Sequence, residues 1–184
     1  MDGIRLTVQA CDKKVIIVIA SDNFRDEEFS NTQKVLHEHG IKTVIASSKL
    51  SESNGVRGLV RVKPDILINK VNINDYDAIA FIGGIGAKEY FNDPVAHKLA
   101  KDAYAKGKIV SAICIAPVIL ANAGLLKNKQ FNVWPSEVKT IESKGGIFSS
   151  KPVVIDGNII TAQDVDAATE FGTKIAEKLM SNTK

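Results

Sequence analysis

Three short stretches of this chain are apolar without alternation: residues 15–20 (VIIVIA), 78–82 (AIAFI) and, but for Ser111, 109–113 (IVSAI). A strand with one wet face alternates polar and apolar side chains, so a strand that is apolar throughout has to be covered on both faces. Parallel strands joined by crossover helices meet that demand, because the helices lie on either side of the sheet. The segments between the stretches have the matching character. Residues 26–39 put Phe29, Thr32, Val35 and Leu36 on one helical face, and Gly40 follows where a C-terminal glycine belongs. Asp93 and Pro94 predict an N-cap and first turn for a helix to about Lys106, stopped by Gly107. Residues 42–47 are a further strand, and 115–123 a helix after the strand at 109–113. The alternation predicts a flavodoxin-like, doubly wound, mostly parallel α/β sheet.

The remaining segments fit around that sheet. Residues 55–70, interrupted by Pro64, predict a short strand or hairpin outside it. Residues 134–143 predict a turn and short helix, and 153–156 with 159–162 a hairpin about Gly157 and Asn158. Asp164 opens a last helix striped by Ala168, Phe171, Ile175 and Leu179. Residues 4–10 alternate with period two, which suggests an extra edge strand within residues 1–13. With no linker, repeat or low-complexity segment, the 184 residues read as one domain.

Composition removes several function classes. The net charge of +3 is small and its basic residues are scattered, which argues against nucleic acid as a partner. Two cysteines, Cys11 and Cys114, are too few for a disulfide framework and point to a reducing, cytoplasmic setting. Residues 109–126 carry no charge, but Ser111, Pro117, Asn122 and Gly124 divide them into a buried strand and helix instead of a membrane span. Charges interrupt every apolar run in residues 1–14, so no signal peptide is expected. His37 and His39, two apart, fall on different helical faces, and no metal-ligand spacing occurs.

In a doubly wound sheet, ligands bind beyond the carboxyl ends of the strands. Three features fall on that edge: Glu28 after the first strand, Gly83 and Gly84 after the strand at 78–82, and Cys114 after the strand at 109–113. A thiol at the start of a helix meets unpaired N–H groups that lower its pKa. Gly83 and Gly84 offer unobstructed amides to an oxyanion or carboxylate. Glu28 adjoins Phe29, the first residue of the apolar helix face, so its carboxyl can enter the cleft and stay protonated by burial. Each feature has a plain structural counterpart: a small buried hydrophobe, a glycine turn, a dipole-favoured helix acid. A dinucleotide site is disfavoured, since Glu89 stands where a third glycine would be needed.

Together, residues 112–117 (AICIAP), 81–84 (FIGG), 26–29 (DEEF) and 154–161 (VIDGNIIT) resemble the ThiJ/PfpI superfamily, with likeness from Lys14 to the last helix. The resemblance implies a class I glutamine amidotransferase-like sheet and Cys114 as nucleophile or oxidation-sensitive thiol. It implies a protonated Glu28 carboxyl on that sulfur, with Gly83 and Gly84 lining the pocket, and a homodimer or larger homo-oligomer. This chain departs from the pattern at three places. The peptidase-like branch has histidine where Ile115 stands, the deglycase-like branch has His-Pro where Trp134 and Pro135 stand, and an arginine is replaced within residues 161–163 (TAQ). The leading expectation is a cofactor-independent glyoxalase or deglycase acting on 2-oxoaldehydes or their adducts. Cys114 attacks, Glu28 moves the proton, the amides at Gly83, Gly84 and Ile115 steady an oxyanion, and Trp134 lines the pocket. The alternatives are a redox sensor or stress chaperone using oxidation of Cys114, a PfpI-like peptidase, and a non-catalytic module binding a small aldehyde or carboxylate.

Overall fold

The computed structural model describes residues 11–182. In chain order the elements are β1 (Lys14–Val18), α1 (Asp26–Glu38), β2 (Lys42–Ser47), β3 (Ser53–Asn54), β4 (Arg61–Val62), β5 (Ile66–Leu67) and β6 (Ala78–Phe81). There follow α2 (Pro94–Ala105), β7 (Ile109–Ile113), α3 (Pro117–Asn122), β8 (Gln130–Phe131), α4 (Val138–Glu142), β9 (Ile147–Phe148), β10 (Val153–Asp156), β11 (Ile159–Ala162) and α5 (Ala168–Ser181), with short 3-10 turns between.

Seven strands form one sheet in the order β10-β11-β7-β6-β1-β2-β5, parallel except for the β10 edge. The pleat explains the unbroken apolar runs. Val15 and Ile17 point to one face, where they pack with Phe29, Leu36, Phe171 and Ile175 of α1 and α5. Ile16 and Val18 point to the other, with Leu99 and Ala103 of α2 and Ile119 and Leu120 of α3. Every residue of β7 is buried, and Ser111 is accommodated because its hydroxyl donates to the Ile79 carbonyl at 2.8 Å. Each such buried aliphatic side chain contributes about 1.5–3 kcal/mol.

The predicted caps form. Asp93 accepts from the Val95 and Ala96 amides, and Gly40 and Gly107 take left-handed φ values of +72° and +70°. Residues 109–126 divide into β7 and α3, and no helix among the described residues is long and apolar enough to cross a membrane.

One expectation is corrected. Residues 55–70 do not lie wholly outside the main sheet: β3 and β4 form a separate antiparallel pair, but Ile66 and Leu67 pair with Ala46 and Ser47 as its outer parallel strand. Two ladder residues carry no readable periodicity, and Pro64 sits just before the strand, where its missing N–H costs nothing. The proposed edge strand at residues 4–10 lies outside the described residues.

Register aligns the strand ends. Val18 pairs with Phe81, Phe81 with Ala112, and Ile113 with Ala162, so the loops after β1, β6, β7 and β11 leave from one edge.

Candidate active site

Cys114 is the first residue beyond β7. Its φ of +63° is the left-handed conformation that a non-glycine residue adopts only when its surroundings hold it there. They do so through both backbone groups. The Cys114 amide donates to the Ala162 carbonyl at 3.0 Å, and the Trp134 amide donates to the Cys114 carbonyl at 2.8 Å. The turn thrusts a half-buried side chain out of the sheet between the ends of β6 and β11.

The first turn of α1 carries three acids with three destinations. Asp26 is buried and accepts from the Arg57, Leu59 and Val60 amides, which fastens the loop before β4. Glu27 pairs with Arg25 at 2.9 Å and with Arg57. Glu28 is fully buried, with Oε2 accepting from the Gly83 amide at 3.0 Å and Oε1 holding no hydrogen-bond partner. Burial pushes its carboxyl up to about 7, against the pull of Cys114, Gly83 and Arg25.

The two glycines do different work. A Cβ on Gly83 would sit 2.5 Å from the Cys114 Cβ and 2.6 Å from Glu28 Oε2, so the missing side chain lets thiol and carboxyl approach. Gly84, at φ +95°, lies against the backbone of Asn23, Phe24 and Arg25. Its amide and that of Ile115 are the backbone groups that favour a charged sulfur. The expectation of two free amides is therefore narrowed: Gly83 N–H is spent on Glu28, leaving Gly84 and Ile115.

The lowered thiol pKa is also corrected. Burial first, and the Glu28 charge second, push Cys114 up to about 12. The helix dipole cannot offset this, because α3 starts only at Pro117 and is six residues long. Thiol and carboxyl thus compete for one negative charge, and burial makes the pair hold its proton.

A cleft of about 540 Å³ opens over this pair. Glu28, Gly84, Cys114, Ile115 and Trp134 line it; Gly83, expected to line the pocket, does not. Arg25, Lys88, Glu137, Asp164, Asp166, Val56 and Ile85 also line it, and none of them is among the site residues expected from the sequence. Position gives a partial signal: Arg25, Ile85 and Asp164 each sit in a loop leaving the carboxyl edge. His37, His39 and His97 bond Thr43 Oγ1, the Val35 carbonyl and the Phe91 carbonyl, and none lines the cleft.

With this geometry in place, comparison with known proteins decides the family. The model of the DJ-1/PfpI family matches residues 13–178. The chain belongs to the DJ-1/PfpI family. An uncharacterized protein of Methanocaldococcus jannaschii is 39% identical over 174 residues, 93% of this chain and 84% of that one. A deglycase of Pyrococcus abyssi is 28% identical over 148 residues, covering 80% and 89%. Among solved structures, a ThiJ/PfpI domain protein from Brachyspira murdochii superposes with a TM-score of 0.90 at 28% identity, covering 92% of this chain and 98% of that one. The DJ-1/PfpI fold, mostly parallel and flavodoxin-like, is the one the apolar runs predict.

Proposed function

We propose that the chain is a cofactor-independent, cysteine-dependent enzyme of glyoxalase or deglycase type, acting on 2-oxoaldehydes or their adducts. The observation that carries the reading is the Glu28 carboxyl: fully buried, one oxygen on Gly83 N–H, the other unpartnered, beside a thiol on a strained turn. The deglycase name of the Pyrococcus abyssi relative supports it.

Sγ bonds to the aldehyde carbon and the carbonyl π pair moves to oxygen, near the Gly84 and Ile115 amides. The thiol proton passes to the Glu28 carboxylate and on to that oxygen, which leaves a hemithioacetal. Glu28, ionised again, takes the hydrogen on the same carbon as a proton and returns it to the neighbouring carbonyl carbon, while the hydroxyl proton crosses to the neighbouring oxygen. The first carbon is thereby oxidised to a thioester and the second reduced to a carbinol, with no outside electrons. Water cleaves the thioester, releasing a 2-hydroxy acid and the thiol.

Methylglyoxal consumption by purified protein tests this. Cys114→Ser abolishes turnover, and Glu28→Gln lowers it by about two to four orders of magnitude, the usual worth of general acid–base help. Turnover undiminished in Cys114→Ser rejects the reading.

The unpartnered Oε1 also favours a second reading, in which hydrogen peroxide oxidises Cys114 to a sulfinate that accepts from protonated Glu28. Mass spectrometry after graded peroxide addresses it; a Cys114 no more reactive than half-buried Cys11 rejects it. A Cys–His peptidase lacks support, since no histidine reaches the cleft.

A further inference from the structure

Beside its charged lining (Arg25, Lys88, Glu137, Asp164 and Asp166), the cleft whose heart is Cys114 and Glu28 carries a collar of exposed apolar side chains. Val56, Ile85 and Trp134 are 42%, 54% and 44% exposed, and all three line the cleft together with Cys114 and the buried Ile115. Single exposed apolar residues need no explanation, but several converging on one opening mark a binding surface. The collar is also rigidly coupled to the heart. Ile85 directly follows Gly84, and Ile115 directly follows Cys114. The Trp134 amide is bonded to the Cys114 carbonyl at 2.8 Å. The Val56 amide is bonded at 2.8 Å to the carbonyl of Phe24, in the loop leading to Glu28. The backbone that carries the apolar groups is thus tied to the segments that carry the thiol and the carboxyl.

The cleft of about 540 Å³ lies in the range that holds ligands of roughly drug size, about 300–1,000 Å³. A three-carbon aldehyde on Sγ would fill the heart and leave the collar wet. We propose that the site is built for 2-oxoaldehydes, and the 2-hydroxy acids they yield, whose second carbon carries an aryl or bulky aliphatic group, with Val56, Ile85 and Trp134 as the specificity-determining residues. The proposal rests on the function given above for the carbonyl chemistry, and on the collar for the substituent. The reacting carbons sit at Cys114 and Glu28, and the substituent extends outward against the indole.

Trp134 is the sole tryptophan of the chain, so its emission reports collar occupancy directly. Wild-type protein is titrated with mandelate and with lactate, the acids formed from phenyl- and methyl-substituted 2-oxoaldehydes. Mandelate binds at least about tenfold more tightly, since even one methylene in an apolar pocket discriminates by about that factor. Val56→Ser combined with Ile85→Ser, both exposed positions, cuts the ratio to about threefold or less while thermal unfolding stays cooperative. In turnover, kcat/KM for phenylglyoxal exceeds that for methylglyoxal by about tenfold or more, and Trp134→Ala lowers the ratio of the two.

Equal affinities for the two acids overturn the proposal, as does a preference that survives the double variant. A collar covered instead by a second copy of the chain gives emission that shifts with protein concentration and no discrimination, which also overturns it. Selective mandelate binding without turnover of either aldehyde sinks the enzymatic reading and upholds the collar. Equal turnover of both aldehydes with equal binding does the reverse.

Discussion

Glu28 is where burial, hydrogen bonding and chemistry meet in a single residue. Burial pushes its carboxyl up to about 7, so at neutral pH it is divided between a form that accepts a proton and a form that donates one. The proposed reaction starts from the carboxylate, because the thiol, pushed up to about 12, does not ionise without a base. The kcat/KM for a 2-oxoaldehyde is therefore expected to rise about tenfold per pH unit below 7 and to level off above it, since that ratio follows the free enzyme. Glu28→Gln removes the limb. A profile that falls through 7 would assign Glu28 to hydrogen-bond donation and favour the oxidation chemistry instead. Much of this candidate site was legible in the sequence, because a cysteine after one buried parallel strand and a paired glycine after another must share the carboxyl edge. The thiol's high pKa and the engagement of Gly83 were not legible. The first follows from how deeply the thiol itself is buried, with the Glu28 charge second, and the second from which Glu28 oxygen meets which amide; neither is fixed by sequence position.

At the scale of elements, one carboxylate gathers three amides of the loop before β4. Asp26 is almost wholly buried, which would raise its pKa, but the Arg57, Val60 and Leu59 amides more than offset this and leave it lowered. A Cβ on Gly55 would fall 2.1 Å from Asp26 Oδ1, so the loop wraps closely around the acid. Asp26→Ala leaves three amides without their charged acceptor and is expected to cost roughly 3 kcal/mol in denaturant unfolding. Because Val56 belongs to the same loop, the variant also loses selectivity at the collar. A loss below about 0.5 kcal/mol would mean that the amides find other partners. Glu28 could be told apart by its place beside Phe29, but the role of Asp26 was not visible beforehand, since nothing in its sequence position shows that the loop of Arg57, Leu59 and Val60 folds over it. The central strands were legible because burial on both faces leaves an unmistakable run. β5, β8 and β9 were not, because two paired residues leave no period to read.

Across the whole molecule, the two buried acids of α1 pull stability in opposite directions with pH. Asp26 has a lowered folded pKa, so its contribution is present above its ordinary value of 3.8 and is lost as pH falls below that. Glu28 has a raised one, so its contribution is complete below 4.5 and is lost as pH climbs from 4.5 through about 7. Ionising Glu28 in its buried place thus costs about 3 kcal/mol by pH 8. Stability should therefore peak on the acid side, near the interval between the two ordinary values, and decline towards neutrality. Denaturant unfolding at pH 5 and pH 8 measures this directly: wild type is expected to be more stable at pH 5 by about 2–3 kcal/mol. Glu28→Gln should be nearly level between the two and more stable than wild type at pH 8. Wild type at least as stable at pH 8 as at pH 5 would mean that the carboxyl is not strained by ionisation, and the proton-transfer role would lose its physical basis. The expected pattern is that of a fold spending stability at its working pH to keep one carboxyl reactive, which is where sites commonly conflict with their scaffolds.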